Sequence, residues 1–195
     1  MKRFFQFLLK SLAVLLFTMI VLDVLYTVVY KQSDDRNKIS HLYHSENQQY
    51  DVVFLGSSRV NNHFVPKYFN DRGYKTYNFG ITRSRLEESA LMLKLMVERG
   101  WNIKNIIIET DLNLSNEKRD DGTFGRFMPF MHQSKIITEH FKNESDFTEL
   151  YYVPFYRYIQ FDSKVGFRAF YKTLHQEPTN TLDHQGYYPL GFNPK

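Results

Sequence analysis

The amino-terminal part of the chain is a long run of hydrophobic positions. Residues Leu12–Leu22 carry almost only apolar side chains, and after Asp23 the run resumes as far as Tyr30. At 1.5 Å per residue, a helix from about Phe4 to Tyr30 would span a hydrocarbon core of roughly 30 Å. The pattern predicts an uncleaved transmembrane anchor over residues 1–31. A carboxylate well inside a bilayer is costly, so we expect Asp23 toward one end of the span.

Two other interpretations of this run stay open. A cleaved signal peptide would need a small-x-small cleavage site, which the stretch after the apolar core does not offer, and a buried core helix would be amphipathic. Lys2, Arg3 and Lys10 precede the span, while the basic residues that follow it are diluted by Asp34 and Asp35. This asymmetry predicts a single-pass protein of the cell membrane with a cytoplasmic N-terminus and an extracytoplasmic domain.

The polar and apolar positions that follow predict a stalk and then an alternating α/β domain. Residues 32–49 are polar with little periodicity and are typical of a stalk. Strands are predicted at Tyr50–Leu55, Tyr74–Phe79 and Ile103–Thr110, and a helix at Ser84–Arg99, capped by its first serine. Such alternation is typical of parallel strands with ligands at their carboxyl ends. We assign residues 50–195 to this domain.

The second half of the chain is rich in aromatic side chains. Residues Leu114–Phe130 are predicted to be a loop, and helices are predicted at Ser134–Phe141, Phe147–Phe161 and Lys164–His175, the second interrupted at Pro154. The aromatic side chains of this half favour a packing role, and contact with lipid headgroups or a glycan is the alternative. They include Phe147, Tyr151, Tyr152, Phe155, Tyr156 and Tyr158.

Composition narrows the function classes. The chain has 195 residues and no cysteine, which allows one ordinary domain beside the anchor and excludes disulfides and thiolate metal sites. Its net charge of +4 is scattered among acidic residues, without the basic stripe of a nucleic-acid binder. No metal-binding spacing and no phosphate-binding loop occurs in the sequence, so we predict no metal and no cofactor.

The most informative stretch is the turn that follows the first predicted strand. In Val52–Arg59 a glycine and two serines follow an apolar run, which places Ser57 and Ser58 where α/β enzymes carry reacting groups. A following helix would add backbone N–H donors and a positive dipole for a developing oxyanion. A serine that only caps the helix explains the same spacing, and from spacing alone that interpretation is favoured. Val60 excludes a G-x-S-x-G nucleophile elbow.

The residues Phe54–Val60, together with Tyr77–Gly80 after the second strand, resemble motifs of the SGNH/GDSL hydrolase superfamily. The Gly-Ser-Ser-Arg sequence that ends at Arg59 is similar to that of a membrane-anchored bacterial branch associated with the cell envelope. The resemblance covers about Tyr50–Asn113. It implies a three-layer, flavodoxin-like fold with a partial parallel sheet, here joined to the transmembrane helix and to a helical, aromatic-rich carboxyl-terminal half.

The resemblance also implies roles for individual residues. Ser58 stands where the family has its nucleophile, and Asn78 and Gly80 match the second block. The N–H groups of Ser58 and Gly80 would then be oxyanion donors. In the third block Asp111 stands where the family has an asparagine, and an ionised carboxylate cannot donate a hydrogen bond. Asn113 is the candidate replacement donor.

The base of the family is missing from this sequence. None of the seven histidines follows an aspartate by three residues, so the D-x-x-H block is absent. A serine without a base is a poor nucleophile, and His63 is a weak candidate for a replacement because it lies five residues after Ser58. We expect the domain to be incomplete at its carboxyl end, which would leave one edge of the sheet open. The aromatic helices are candidates to cover that edge.

The resemblance implies a serine esterase or O-acyltransferase that acts on acylated cell-envelope glycans, and the missing base leaves its activity uncertain. The alternative is a degenerate or truncated family member that acts as a membrane-tethered binding or scaffold protein. A third possibility is an anchored α/β protein unrelated to the family. The partners predicted are membrane lipid at the N-terminal helix and an acylated polysaccharide substrate, and no nucleic acid. The sequence makes no prediction about oligomeric state.

Overall fold

A computed structural model describes residues 1–32, 38–110, 120–160, 171, 175 and 185–190. The elements follow one another along the chain as a long helix, an alternating α/β region and a set of short helices. They are α1 (Lys2–Gln32), α2 (Lys38–His44), β1 (Gln49–Leu55), α3 (Ser58–His63), α4 (Lys67–Asn70), β2 (Thr76–Asn78), α5 (Leu86–Glu98), β3 (Asn102–Ile108), α6 (Asp121–Phe127), a 3-10 turn (Met128–Phe130), α7 (Lys135–Phe141) and α8 (Phe147–Tyr152).

The three strands form one parallel sheet with β1 between β2 and β3. Val53 of β1 lies in register with Tyr77 of β2 and Ile106 of β3. The predicted strands and the mixed α/β class are therefore confirmed. The central strand reads as a continuous apolar run because its two faces are both covered, as parallel strands require.

The core lies mainly on one face of this sheet. Leu91 and Leu95 of α5 are fully buried there with Ile39 and Leu42 of α2. On the other face a smaller cluster joins Val52 and Phe54 of β1 to Val60 of α3, with Phe69 of α4 packed against it. The sheet thus carries helices that pack on its buried side chains, and the three-layer arrangement implied by the family resemblance stays a prediction.

The start of α5 differs from the prediction that Ser84 caps it. Arg85 occupies the N-cap position, and its N–H donates to Glu88 Oε2 at 2.7 Å. The Arg85 guanidinium also pairs with Glu88, 2.6 Å from Nη2 to Oε1, and both side chains are buried. The prediction that Ser84 caps α5 was wrong, because the helix begins one residue later and the hydroxyl of Ser84 donates instead to the carbonyl of Arg85 at 3.2 Å.

Helix α1 has two different halves. Every residue up to Thr18 is exposed, whereas from Met19 onward one helical face contacts the domain. Asp23 pairs there with the buried guanidinium of Arg157, 2.7 Å from Oδ2 to Nη2. Its Oδ1 also accepts the N–H of Phe155 at 3.0 Å. Asp23 therefore has a cationic partner from the domain, which removes the cost of an isolated carboxylate in this helix.

The segment predicted as a stalk contains helix α2 and the start of β1. Lys38, Ile39, Ser40 and Leu42 are all buried, so this part of residues 32–49 belongs to the domain core. The stalk interpretation was wrong for the described part because two apolar residues three positions apart suffice to bury one face of a single helical turn. Polar side chains beside them hid this pattern.

The described part of the predicted loop Leu114–Phe130 is helical. Asp120 caps α6, its Oδ1 accepting the N–H of Thr123 at 2.9 Å. Phe124 and Phe127 are buried in the main core. The loop prediction was wrong here because burial of two phenylalanines three positions apart outweighs the low helix propensity of the two glycines in this segment.

The aromatic helices follow the prediction in position, and their predicted packing aromatic residues are at least partly buried except Tyr152, which is 71% exposed. Ser134 caps α7, and α8 ends before Pro154. Residues 156–160 are helical again. Phe155 and Tyr158 pack against Tyr26 of α1, with ring centroids 5.0 and 5.6 Å away. The helix predicted at 164–175 lies almost entirely outside the described residues.

The outer edge of β3 is uncovered in the described part of the structure. Ile106, Ile107 and Ile108 are 43%, 41% and 37% exposed although they are successive residues of one strand. The described aromatic helices pack elsewhere, against α1 and the α5 side of the core. The predicted open edge is thus present among the described residues, without the suggested cover.

Candidate functional site

The candidate site begins where β1 turns into α3. Gly56 has φ +150°, and a Cβ at this position would lie 2.7 Å from both Cβ of Glu109 and Cγ2 of Val60. Only glycine adopts such a backbone without strain and admits both neighbours so closely. The turn is therefore tight, and it brings the start of α3 beside the carboxyl end of β3.

Ser57 is the serine that caps α3. Its backbone is extended, and its Oγ accepts a long hydrogen bond of 3.5 Å from the N–H of Arg59. The N–H and the hydroxyl of Ser57 both donate to Glu109 Oε2, each at 2.8 Å. Ser57 is thus fully engaged by its own helix and by the residue that follows β3.

Ser58 is the first residue of α3 and is only half-buried. In the described part of the chain its side chain makes no hydrogen bond, in contrast to its neighbour Ser57. His63 lies at the exposed end of the same helix. Five residues rotate a side chain by about 140° around a helix, so His63 is turned away from Ser58.

Asn78 joins the end of β2 to α3. The side chain is fully buried, and its Nδ2 donates to the carbonyls of Val60 and Phe64 at 2.6 and 2.7 Å. Phe64 directly follows α3, where carbonyls lack helical donors, whereas the carbonyl of Val60 also accepts the N–H of Phe64 at 3.2 Å. Its Oδ1 accepts the N–H of Gly80 at 2.8 Å. Asn78 therefore holds the helix and the loop after β2 together.

Gly80 lies directly against α3, as the resemblance implies for the second block. A Cβ here would lie 2.5 Å from the backbone nitrogen of Asn61, so a side chain has no room. The N–H that the resemblance assigns to an oxyanion hole is engaged by Asn78 in this structure. An oxyanion formed at Ser58 would have to compete with Asn78 for that proton.

A buried lysine that the sequence reasoning missed supports this site from behind. Lys38 Nζ donates to Asn61 Oδ1 at 2.8 Å, to Asn78 Oδ1 at 3.3 Å and to the carbonyl of Gly80 at 2.5 Å. Burial, and secondarily the charge of Arg126, hold the pKa of Lys38 well below its usual value. Its three partners are neutral oxygens, so the lysine binds them as a donor rather than as half of an ion pair.

Sequence signals could have placed the segments of two residues near the site, although not their hydrogen bonds. Lys38 precedes an isoleucine and a leucine at helical spacing, which marks the segment as part of the core. Glu109 directly follows the third apolar strand, and carboxyl ends of parallel strands meet at one sheet edge. Arg59 is exposed, and its Nε lies 3.9 Å from Glu109 Oε1. Asp111 and Asn113 lie outside the described residues, so their predicted roles stay predictions.

The carboxyl-terminal segment 185–190 lies across the outer edge of β2 and α3. The N–H of Asn78 donates to the carbonyl of Gln185 at 2.9 Å, and the N–H of Tyr188 donates to the carbonyl of Asn61 at 3.0 Å. This segment therefore covers the β2 side of the site. Within the described residues, no three histidine or acidic side chains come together as a metal site would require.

Comparisons with known proteins gave no match to any family model, to any curated protein or to any solved structure. The resemblance to the SGNH/GDSL superfamily therefore rests on the residues of the two motifs alone. What these residues can do follows from their arrangement. They place Ser58 at the start of α3, just beyond the carboxyl end of the central strand, on a helix that Asn78 links to the loop after β2.

Proposed function

We propose that this chain is a membrane-anchored, SGNH-like α/β protein in which Ser58 attacks acyl esters of cell-envelope glycans. The proposal is based on the different hydrogen bonding of two adjacent serines. Ser57 caps α3 and binds Glu109, whereas the half-buried hydroxyl of Ser58 has no hydrogen bond in the described part of the chain. Ser57 alone is enough to shape the turn, so a second serine beside it is available for another role.

In this proposal Ser58 Oγ bonds to the acyl carbon of the ester while its proton passes to a base. The carbonyl oxygen becomes an oxyanion near the first N–H groups of α3, where the helix dipole favours negative charge. The bond between the acyl carbon and the sugar oxygen then breaks, the sugar oxygen takes up the proton that the base received from Ser58, and an acyl-serine remains. Water then completes hydrolysis, or a second sugar hydroxyl accepts the acyl group. His63 is turned away from Ser58 in this arrangement, so we expect slow turnover.

A second candidate function is a non-catalytic, membrane-tethered binding or scaffold protein. One observation favours it: the N–H of Gly80 is engaged by Asn78, whose Oδ1 also accepts from the buried Lys38. This network satisfies the amide that an oxyanion hole would keep available. In a scaffold the same hydrogen bonds would only hold β2 and α3 together.

The two functions are separated by labelling with a fluorophosphonate probe. The full chain in detergent is compared with its Ser58→Ala and Ser57→Ala variants, and thermal unfolding of each is measured to show that it folds. A nucleophilic Ser58 predicts labelling of the wild type and of Ser57→Ala, and loss of labelling in Ser58→Ala. Equal labelling of the wild type and Ser58→Ala, or no labelling of either, refutes the catalytic proposal.

We also propose that α1 spans the membrane with its N-terminus in the cytoplasm. Among the described residues one helix is long and apolar enough for a span, from Lys2 to Lys31. The chain has no cysteine, so a single introduced cysteine reports its own location. In spheroplasts of an expressing bacterium, a membrane-impermeant maleimide should label Glu98→Cys and not Lys2→Cys. The reverse pattern would show the opposite orientation.

A further inference from the structure

A group of exposed apolar side chains lies on the domain beside α1. Tyr152 at the end of α8 is 71% exposed, Val153 40% and Ile159 54%. We call these three residues the juxtamembrane patch. Water-exposed apolar surface that is contiguous marks a binding surface more often than isolated exposed residues do. The next question is what covers this patch.

The patch continues directly onto the apolar surface of α1. A cavity of about 220 Å³ lies between α1 and the domain. Its apolar lining includes Ile20, Val24, Tyr152 and Val153, and its polar lining consists of Asp23, His132 and Arg157. Ile20 is 44% exposed and Val24 56%. The exposed apolar side chains of α1 and of the patch therefore border the same cleft. Solvent or lipid that contacts α1 at this level also contacts the patch.

The level of the patch along α1 follows from the helix geometry. If Lys2 and Arg3 lie at one membrane surface, a hydrocarbon core of roughly 30 Å takes about 20 residues and ends near Asp23. If Lys10 instead marks the first surface, the core extends further toward the domain. The second placement would put the ion pair of Asp23 and Arg157 inside the hydrocarbon, which is costly, so the first is favoured. Ile20 then lies near the end of the hydrocarbon, and the patch beside it lies at the boundary with the headgroups.

Polar groups mark the same level. Asp23 receives hydrogen bonds from the guanidinium of Arg157 and from the N–H of Phe155, so the polar interior of the domain begins one turn beyond Ile20. A tyrosine with an apolar ring and a hydroxyl is suited to the boundary between acyl chains and headgroups, and Tyr152 stands there.

We infer that the juxtamembrane patch is inserted into the lipid headgroup and acyl boundary, so that the domain contacts the bilayer as well as being anchored in it. This inference rests on the anchorage in the proposed function and not on any chemistry of Ser58. Tyr152, Val153 and Ile159 would exchange water for lipid.

Tryptophan quenching by brominated phosphatidylcholine tests the inference on the full chain in vesicles. The chain has a single tryptophan, Trp101, which is 8% exposed and is replaced by phenylalanine. In that background Tyr152→Trp reports on the patch, and Leu12→Trp reports on insertion of α1. Tyr68→Trp on α4 is the matched control, because Tyr68 is 65% exposed and outside the patch.

The expected result is depth-dependent. The Tyr152→Trp variant should lose roughly half of its fluorescence or more to bromines placed high on the acyl chains. The Leu12→Trp variant should be quenched by deeper bromines, and the Tyr68→Trp variant should be unaffected. Quenching at position 12 without quenching at position 152 overturns the insertion of the patch into lipid but supports the anchor. A second copy or another protein would then be favoured as the cover of the patch. Absence of quenching at position 12 overturns both the anchor and the patch.

Discussion

Replacing the buried Lys38 by methionine tests how the candidate site is held together. Methionine keeps most of the length and the apolar stem of the side chain and removes the ammonium group. The variant leaves Asn61 Oδ1 and the carbonyl of Gly80 without the donor they have, whereas Asn78 Oδ1 keeps the N–H of Gly80. Each lost hydrogen bond costs about 1 kcal/mol, and removal of a buried charge offsets part of this cost.

The decisive quantity is the pH dependence of the free energy of unfolding. The pKa of Lys38 is lower in the folded chain than in the unfolded one, because burial disfavours the charged form. Between the folded pKa and the unfolded value of 10.5 the unfolded state binds more protons. Stability therefore rises with pH in that window, by at most about 1.4 kcal/mol per pH unit for this one group. Lys38→Met removes that contribution.

The assay is urea unfolding of the detergent-solubilised full chain, followed by the fluorescence of Trp101, from about pH 7.5 to 9.5. This range stays below the alkaline region in which Tyr50, whose pKa burial raises to about 12, begins to contribute. The difference in free energy between wild type and Lys38→Met should grow steadily with pH. Lys94→Met on the exposed face of α5 is the control for loss of a surface lysine. A difference that is constant with pH would refute the reasoning.

Three further substitutions test other parts of the structure. Asp23→Ala leaves the guanidinium of Arg157 buried without its carboxylate and should lower the free energy of unfolding by about 3 kcal/mol. Replacing both residues by leucine should restore most of this loss. Denaturant unfolding measures both effects. Gly186→Ala drives a Cβ into the backbone oxygen of Asn78 in β2, whereas Gly73→Ala, at a similar positive φ, meets no atom within 4 Å. Only the first should speed proteolysis of residues 185–190, and equal cleavage of both variants would contradict the packing of that segment. Gly80→Ala places a Cβ 2.5 Å from a backbone nitrogen of α3 and should lower the free energy of unfolding by about 2 kcal/mol or more. A change in thermal midpoint no larger than that of Gly73→Ala would disprove this contact.

The sheet could be predicted from the sequence because parallel strands are buried on both faces. Three apolar runs, each ended by turn residues or a change to polar residues, predicted β1, β2 and β3 within a few positions. The helix predicted at Ser84–Arg99 matches α5, although Leu86 and Val97 of its expected apolar face are exposed and Leu91 and Leu95 are buried instead. The serine turn was also predictable, since a strand, a glycine and a capping serine occur in direct succession. These features depend on local sequence, and local patterns are enough to find them.

The hydrogen-bond network behind the site could not be predicted, because its members are distant in the chain. Lys38 reaches a loop more than 40 residues away, and Glu109 binds a serine 52 residues earlier. A charged residue in a polar segment is normally expected in water, and only the tertiary structure shows that Lys38 is buried. The helices of residues 120–130 were missed for a related reason, since their stability comes from buried phenylalanines rather than from propensity.

Helix α1 continues without a break from its exposed apolar half into the domain. Its last three turns carry Asp23, Thr27 and Tyr30, which the domain grips through Arg157 and Tyr158. An anchor of this kind joins the domain rigidly to the helix, in contrast to a flexible linker. In the proposed membrane-anchored protein, any tilt of the helix in the bilayer would tilt the serine turn with it, and the length of this one helix would set the height of that turn above the membrane.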